Sequence, residues 1–304
     1  MHMKFVTQCL SCFVDDVLGA VEMLGVSQKQ TTSIMQETLL YLATHVGDDV
    51  PPSYFITDLH RIIKRHLALA MPFAEMRKTC LEAGLIIAGN VQKESAHKIG
   101  LDKFLFLVRW AIASNSLDFR TAGVGYALNA KTIEESLLSY FSAGLTVDET
   151  KRIFAAALDA KRIVYVPDNV GELPFDKLLI REMKARGAEI TVPFRGGPIT
   201  SDAIMEDAYA AGIQDVAKLI CAGPDTLGIS FKEMSAELAT ALADADFIIA
   251  KGQANYYVLS EFGKQYPKAT IACLFTAKCN HIWKQFGCHS KASIAAIIQE
   301  PQTE

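Results

Sequence analysis

The sequence contains no unbroken run of roughly 18 apolar residues, the length that a membrane-crossing helix needs. Its start shows no positively charged stretch followed by an apolar core and a cleavage site. No membrane segment is expected, and the cytoplasm is the expected compartment. Positive charge is not in excess: 30 Lys and Arg face 34 Asp and Glu, for a formal net charge of -4. A polyanion such as nucleic acid would find no whole-protein field to follow. Internal repeats, low-complexity tracts and linkers rich in Pro, Gly and Ser are also missing. Zinc-type pairing is absent as well, since Cys9-Leu10-Ser11-Cys12 has neither a second CxxC nor paired histidines to complete it. The same holds for Cys279 with His281 and for Cys288 with His289. Seven cysteines are an odd number in a chain too long to need a disulfide framework, so reduced thiols are expected. Gly123-Val124-Gly125 lacks the third glycine and the preceding strand of a dinucleotide loop, and reads as an ordinary loop.

What is present is a 304-residue chain, 50% hydrophobic and 21% charged, with material for two cores. From about Val6 to Leu158 the apolar positions recur at helical spacing, as in Phe104, Leu107, Val108, Ala111 and Ile112. Interruptions at Gly47–Pro52, Met71-Pro72, Ala88-Gly89-Asn90 and Thr121–Gly125 predict about six helices and little or no sheet. From Arg162 onward, short β-rich runs alternate with amphipathic stretches: 162–166, 189–194, 218–221, 247–250 and 270–275. That alternation predicts an α/β fold, a mostly parallel sheet flanked by crossover helices. The division expected is a helical domain over 1–158 and an α/β domain over 159–304. With no linker between them, the two should share an extensive interface.

Ligands of open parallel sheets bind beyond the carboxyl ends of the strands, where loops and helix N-termini converge. Polar residues collect there in this chain: Asp168 and Asn169 after the first run, Ser201 and Asp202 after the second, Lys251 and Asn255 after the fourth, and Lys278 after the fifth. Asp168, Asn169 and Asp202 would make an all-oxygen site suited to a hard divalent ion, with Mg2+, Mn2+, Co2+ and Ni2+ all admissible. No histidine adjoins these motifs, which argues against a zinc hydrolase. Lys251 is placed to neutralise a phosphate held by such an ion. Each piece also has a plainer reading: Asp168-Asn169 as a turn or cap, Asp202 as a carboxylate answering a helix dipole, and Lys251-Gly252 as a strand end.

Together the motifs resemble those of the damage-control phosphatase family, also known as domain of unknown function 89. Val166-Pro167-Asp168-Asn169-Val170-Gly171-Glu172 resembles its DNxGE signature, and Pro198-Ile199-Thr200-Ser201-Asp202-Ala203 its second motif. Residues 245–256 around Lys251-Gly252 resemble the third, and Lys278-Cys279 the last. Asn115-Ser116-Leu117-Asp118-Phe119 is similar to the family's AGNxxDF segment, and Cys9 with Cys12 to the CxxC of its prokaryotic subgroup. The resemblance implies a Rossmann-like domain beside a helical one and metal-dependent hydrolysis of small phosphometabolites, such as sugar phosphates or phosphopantetheine-like compounds. It implies Asp168, Asn169 and Asp202 as metal ligands. Lys251 is implied as the phosphate contact, with Asn115, Asp118, Asn255 and Lys278 facing the substrate. Glu172 would bind a metal water or act as a base, or else only cap the following helix. Departures from the pattern fall at Met71, Arg77, Cys80, Ser114 and Arg120, and these bear on substrate choice more than on catalysis. Two rival readings are an S-adenosylmethionine-dependent methyltransferase and a non-catalytic binding protein for a phosphorylated metabolite. Oligomeric state cannot be read from the sequence.

Overall fold

The computed structural model describes residues 4–121, 125–126 and 133–301. The first half builds helices α1 (Cys9–Met23), α2 (Gln28–His45), α3 (Pro52–Leu67), α4 (Ala74–Ser95), α5 (Gly100–Ala113), α6 (Ile133–Ala143) and α7 (Thr150–Asp159). Their boundaries follow local chemistry. Ser27 caps α2 by accepting from the Gln30 amide, and Pro52 sits in the first turn of α3, where no amide hydrogen is needed. The break expected at Ala88-Gly89-Asn90 does not occur. Gly89 is exposed there, while Ile87, Ala88 and Val91 are buried. One exposed glycine costs a helix about 1 kcal/mol relative to alanine, and burial of that apolar stripe more than offsets it. The chain turns instead between α4 and α5, where Gly100 takes φ +56°.

This half also holds three two-residue strands. β1 (Arg120–Thr121) pairs antiparallel with β2 (Gly125–Tyr126), while β3 (Val147–Asp148) joins the main sheet. Residues 123 and 124 of the expected Gly123-Val124-Gly125 loop lie outside the described residues.

The second half contains β4 (Arg162–Val166), α8 (Leu173–Lys184), β5 (Glu189–Arg195), α9 (Met205–Ala211), β6 (Lys218–Gly223), α10 (Ala236–Asp244), β7 (Phe247–Lys251), α11 (Gly252–Phe262), β8 (Thr270–Ala277), α12 (Asn280–Trp283) and β9 (Ala292–Gln299). All five expected strands form. β9 was not expected, and it runs antiparallel to β8. The seven-stranded sheet has the order β3-β9-β8-β7-β4-β5-β6, and β4 through β8 are mutually parallel. From β4 the chain steps outward to β5 and β6, then returns to the other side of β4 for β7 and β8. The order therefore reverses between β4 and β7, opening a crevice at their carboxyl ends.

One apolar cluster crosses residue 158. Ile87 of α4 and Trp110 of α5 pack with Phe175 of α8 and Leu274 of β8, and the Trp110 ring stacks on Phe175 with centroids 5.9 Å apart. Buried aromatic area of this kind is among the largest apolar contributions that a side chain makes. The cluster packs the helices of the first half, with α8, on the face of the sheet that carries Ile163, Tyr165, Phe247 and Ile249.

Candidate active site

Each polar loop leaves the carboxyl end of a parallel strand. Pro167, Asp168 and Asn169 follow β4, the loop to Asp202 follows β5, Leu227 and Gly228 follow β6, α11 follows β7 and Lys278 follows β8. They enclose a cavity of about 60 Å3 whose polar lining is Asp118, Arg120, Asp168, Asn169, Ser201, Asp202, Gln253 and Lys278. Ile56 of α3, Leu227, Ala254 and Tyr257 form its apolar wall. A wider groove of about 490 Å3 lies at the opposite ends of β4, β5 and β6 under α10. Helix N-termini do not converge on that side, so the smaller cavity is the better candidate.

Asp168 and Asp202 come together through the backbone, since the Ala203 amide donates to the Asp168 carbonyl at 2.8 Å and Asn169 bridges to Asp202. Among the described residues, the hydrogen bonds to the Asp168 carboxylate fall on Oδ2, from Asn169 Nδ2 at 2.9 Å and Asn115 Nδ2 at 3.2 Å. Asp202 Oδ2 accepts from the Gly228 amide and pairs with Arg195, both at 2.7 Å, whereas Oδ1 has only a long 3.4 Å bond from Thr200. Ser201 Oγ lies 2.7 Å from Asp118 Oδ1 and 2.6 Å from Asn169 Oδ1. One hydroxyl proton serves one acceptor at a time, so the Asn169 amide oxygen keeps capacity for a cation. Burial, with repulsion from Glu172 and Asp202, pushes the Asp168 carboxyl well above the usual carboxylate range. A cation between these oxygens would relieve that repulsion. Among the described residues no three His, Cys, Asp or Glu side chains form a metal cluster. The two carboxylates and one amide oxygen gathered here would be a donor set for a hard ion.

Three residues expected at the cavity stand behind it. Lys251 is fully buried, its Nζ 2.5 Å from Glu172 Oε2 and 2.9 Å from Asp176 Oδ1, and it does not line the cavity. Burial opposes its charge, but Asp176 and Glu172 hold the ammonium above the ordinary lysine value. The strand-end lysine expected to meet phosphate is turned instead to these two carboxylates at the start of α8. Asn115, in the short 3-10 turn after α5 (Ser114–Leu117), donates to Asp168 and to Glu172 Oε1 at 2.7 Å and so supports the Asp168-Asn169 loop. Asn255 donates to the carbonyls of Pro167 at 3.1 Å and Lys251 at 2.8 Å. Glu172 makes no cap bond to α8; it accepts from Asn115, Asn169 and Lys251.

Asp118 and Lys278 do reach the cavity, joined by a 2.6 Å bond from Lys278 Nζ to Asp118 Oδ2. Burial opposes the Lys278 charge, but Asp118 and Asp168 raise its pKa overall, while nearby Arg120 pulls the other way. Arg120 is the second cation on the lining, held from behind by Asp16, which also contacts His60 at 2.9 Å.

Several shaping residues were not read from the sequence. Arg77, noted only as a departure, donates from α4 to the carbonyls of Thr200 at 2.6 Å and Asp202 at 3.0 Å and pairs with Asp207. Arg195 and Gly252 were missed. At Gly252, with φ +78°, a Cβ would land on the Asp168 carboxylate, so only glycine fits. The signals available were an arginine closing an apolar strand and a glycine opening a helix. Cys9, Cys12 and Cys279 are half-buried free thiols, and burial, with Cys279 beside them, raises the pKa of Cys9 and Cys12.

A family model described as the damage-control phosphatase ARMT1-like domain matches residues 5–294. The chain is 30% identical to a damage-control phosphatase of Archaeoglobus fulgidus, with 98% of this chain and 100% of the relative covered. It is also 30% identical to a damage-control phosphatase of Pyrococcus horikoshii, covering 91% of this chain and 92% of that one. A crystal structure of a P. horikoshii protein of the family of domain of unknown function 89 superposes with a TM-score of 0.83 at 26% identity. That match covers 98% of this chain and 100% of the other. A match running from residue 5 to residue 294 takes in both the helical half and the sheet, and the chain belongs to the damage-control phosphatase family.

Proposed function

We propose that this protein is a divalent-metal-dependent phosphatase of small phosphorylated metabolites. The observation that carries the reading is the convergence of Asp168, Asn169 and Asp202 with Lys278 and Arg120 on one cavity at the carboxyl ends of the parallel strands. Asp168, Asn169 and Asp202 would hold the ion, which when bound would supply Lewis-acid polarisation of the phosphoryl group. The residues themselves divide the remaining work. Lys278 and Arg120 neutralise phosphoryl oxygens and the charge that develops on them. Asp118 holds Lys278 in place through its 2.6 Å bond, and Asn115 and Glu172 keep the Asp168-Asn169 turn in position. Gln253 holds the Lys278 amide at 2.8 Å. The cavity is small, about 60 Å3, and its polar lining suits the phosphoryl group and the ion. The rest of the substrate would therefore lie toward the apolar wall of Ile56, Leu227 and Tyr257.

The chain after β4 enters Pro167-Asp168-Asn169 with no glycine-rich turn for the close backbone approach that the nucleoside and amino-acid parts of S-adenosylmethionine would need, which leaves the methyltransferase reading without support. Phosphate release from a panel of sugar phosphates and phosphopantetheine-like esters tests the proposal. EDTA should abolish release and Mn2+ or another divalent ion should restore it. Asp202→Asn should weaken Mn2+ binding, because one of the two carboxylate charges proposed to hold the ion is lost. Full turnover after rigorous chelation would remove the metal from the reading. Phosphate-ester binding with no release under any metal would leave the non-catalytic binding protein.

A further inference from the structure

The two loops that carry Asp168 and Asp202 come from different strands, and a closed ring of polar contacts ties them together. Arg195, the last residue of β5, donates from one terminal nitrogen to the Pro167 carbonyl at 2.7 Å, and its other terminal nitrogen lies 2.7 Å from Asp202 Oδ2. That same Oδ2 accepts the Gly228 amide at 2.7 Å. The next amide, Ile229, donates to Asn255 Oδ1 at 2.9 Å. Asn255 Nδ2 then returns to the Pro167 carbonyl at 3.1 Å. The loops after β4, β5 and β6 and the start of α11 after β7 are thereby joined in one circuit. Arg195 is 1% exposed and Asn255 0%. Gly228 has φ +67°, and a Cβ there would press on the Asn255 Oδ1 and on Ala254, so the circuit admits only glycine at that corner.

We propose that Arg195 and Asn255 are positioning residues that set the spacing of Asp168 and Asp202, and so the affinity of the site for its divalent ion. The inference rests on the metal-dependent reading above. Hard divalent ions such as Mg2+ demand ligand oxygens placed to within tenths of an ångström, and loops from separate strands do not reach that tolerance without cross-ties. Both sides of the Pro167 carbonyl, one residue ahead of Asp168, are claimed by the ring. Asp202 is held by Oδ2, so Oδ1, which has one long bond from Thr200, would be the oxygen offered to an ion. A guanidinium suits the corner because its planar fork reaches a carbonyl and a carboxylate at once, whereas an ammonium is a single point donor.

A plainer role for Arg195 is to neutralise a buried carboxylate. Asn255 separates the two roles, since it carries no charge and touches no oxygen of Asp202. The variants are Arg195→Lys, which keeps the charge and loses the fork, and Asn255→Ala, which opens the opposite side of the ring. Mn2+ binding by calorimetry and steady-state hydrolysis of p-nitrophenyl phosphate would be measured on protein shown to be folded by circular dichroism. Both variants should bind Mn2+ about ten- to a hundredfold more weakly, the scale for losing a partner that orients a metal ligand. At saturating Mn2+, kcat should fall while KM stays within about twofold, because the substrate-facing Lys278 and Arg120 are untouched. Wild-type Mn2+ affinity in Asn255→Ala, or lowered thermal stability with unchanged metal affinity in both variants, would overturn the inference. A wild-type protein that binds no Mn2+ would sink the metal reading itself, and the positioning role with it.

Discussion

Lys251 and Lys278 end neighbouring strands of the sheet, yet their surroundings assign them different work. Lys278 lines the cavity with Asp118 as its partner. Lys251 sits out of reach of solvent between Glu172 and Asp176. Lys278→Met should therefore lower kcat/KM roughly a hundredfold or more, the scale for losing one preorganised charge at a developing phosphoryl charge, with a smaller loss of stability than at Lys251, because Asp118 keeps its bonds from Ser201 and the Arg120 amide. Lys251→Met should instead destabilise the fold by about 3–5 kcal/mol, because two buried carboxylates lose their cation. Burial, opposed by Lys251, pushes the Asp176 carboxyl up to about 6. In the variant that group can take up a proton, so the loss of stability should deepen as pH rises above 6. Urea unfolding at pH 5 and pH 8 reads the effect. The opposite outcome, an inactive but stable Lys251→Met beside an active Lys278→Met, would return the phosphate contact to Lys251.

At the scale of elements, the site depends on how closely α4 approaches the Val170–Glu172 turn that follows the Asp168-Asn169 pair. Gly84 and Cys80 make that approach possible. A Cβ at Gly84 would lie 2.5 Å from the Gly171 carbonyl oxygen, and one at Gly171 would meet the side chains of Leu117 and Cys80. Alanine is favoured over glycine within a helix by about 1 kcal/mol, so on propensity alone Gly84→Ala would stabilise. The obstructing atom is backbone and cannot swing aside, and overpacking costs about 1–3 kcal/mol. The expected net result is a lower urea midpoint, along with reduced turnover as Arg77 and the turn are displaced from the ligand loops. A midpoint above wild type would mean that α4 can shift without disturbing the site.

Across the whole molecule, the helical half reaches the cavity through a buried chain from His60 to Asp16 to Arg120. Burial disfavours the Asp16 charge, but Arg120 and His60 more than offset this and lower its carboxyl to about 2. A carboxyl lowered by folding contributes stability that is present above its unfolded value and lost as pH falls toward the folded one. The window is therefore about pH 4 down to pH 2, and the shift corresponds to about 2 kcal/mol. Wild-type stability should fall across that window, and Asp16→Asn should flatten this part of the slope while lowering stability at pH 7. Because one apolar cluster spans residues 87–295, we also propose that the units 1–158 and 159–304 unfold as one. Far-ultraviolet and tryptophan signals should lose amplitude together in this titration.

Periodicity alone was enough for the helical first half, the five parallel strands and the crowding of polar residues at one sheet edge, because alternation and helical spacing are written in consecutive residues. The direct partners of the ligands were not legible. Whether Lys251 or Lys278 faces the cavity depends on where Glu172, Asp176 and Asp118 fall once α8 and the turn after α5 are packed. Arg195 and Arg77 act on carbonyls, which leave no mark in side-chain pattern. β9 was missed because Ala292–Gln299 is paired antiparallel at the far side of β8 and lies outside the strand-helix alternation. Residue type and local order thus settled which elements form and where a site could stand. Only tertiary packing decided which charges meet, because a buried cation turns to whichever carboxylates the fold has already placed beside it.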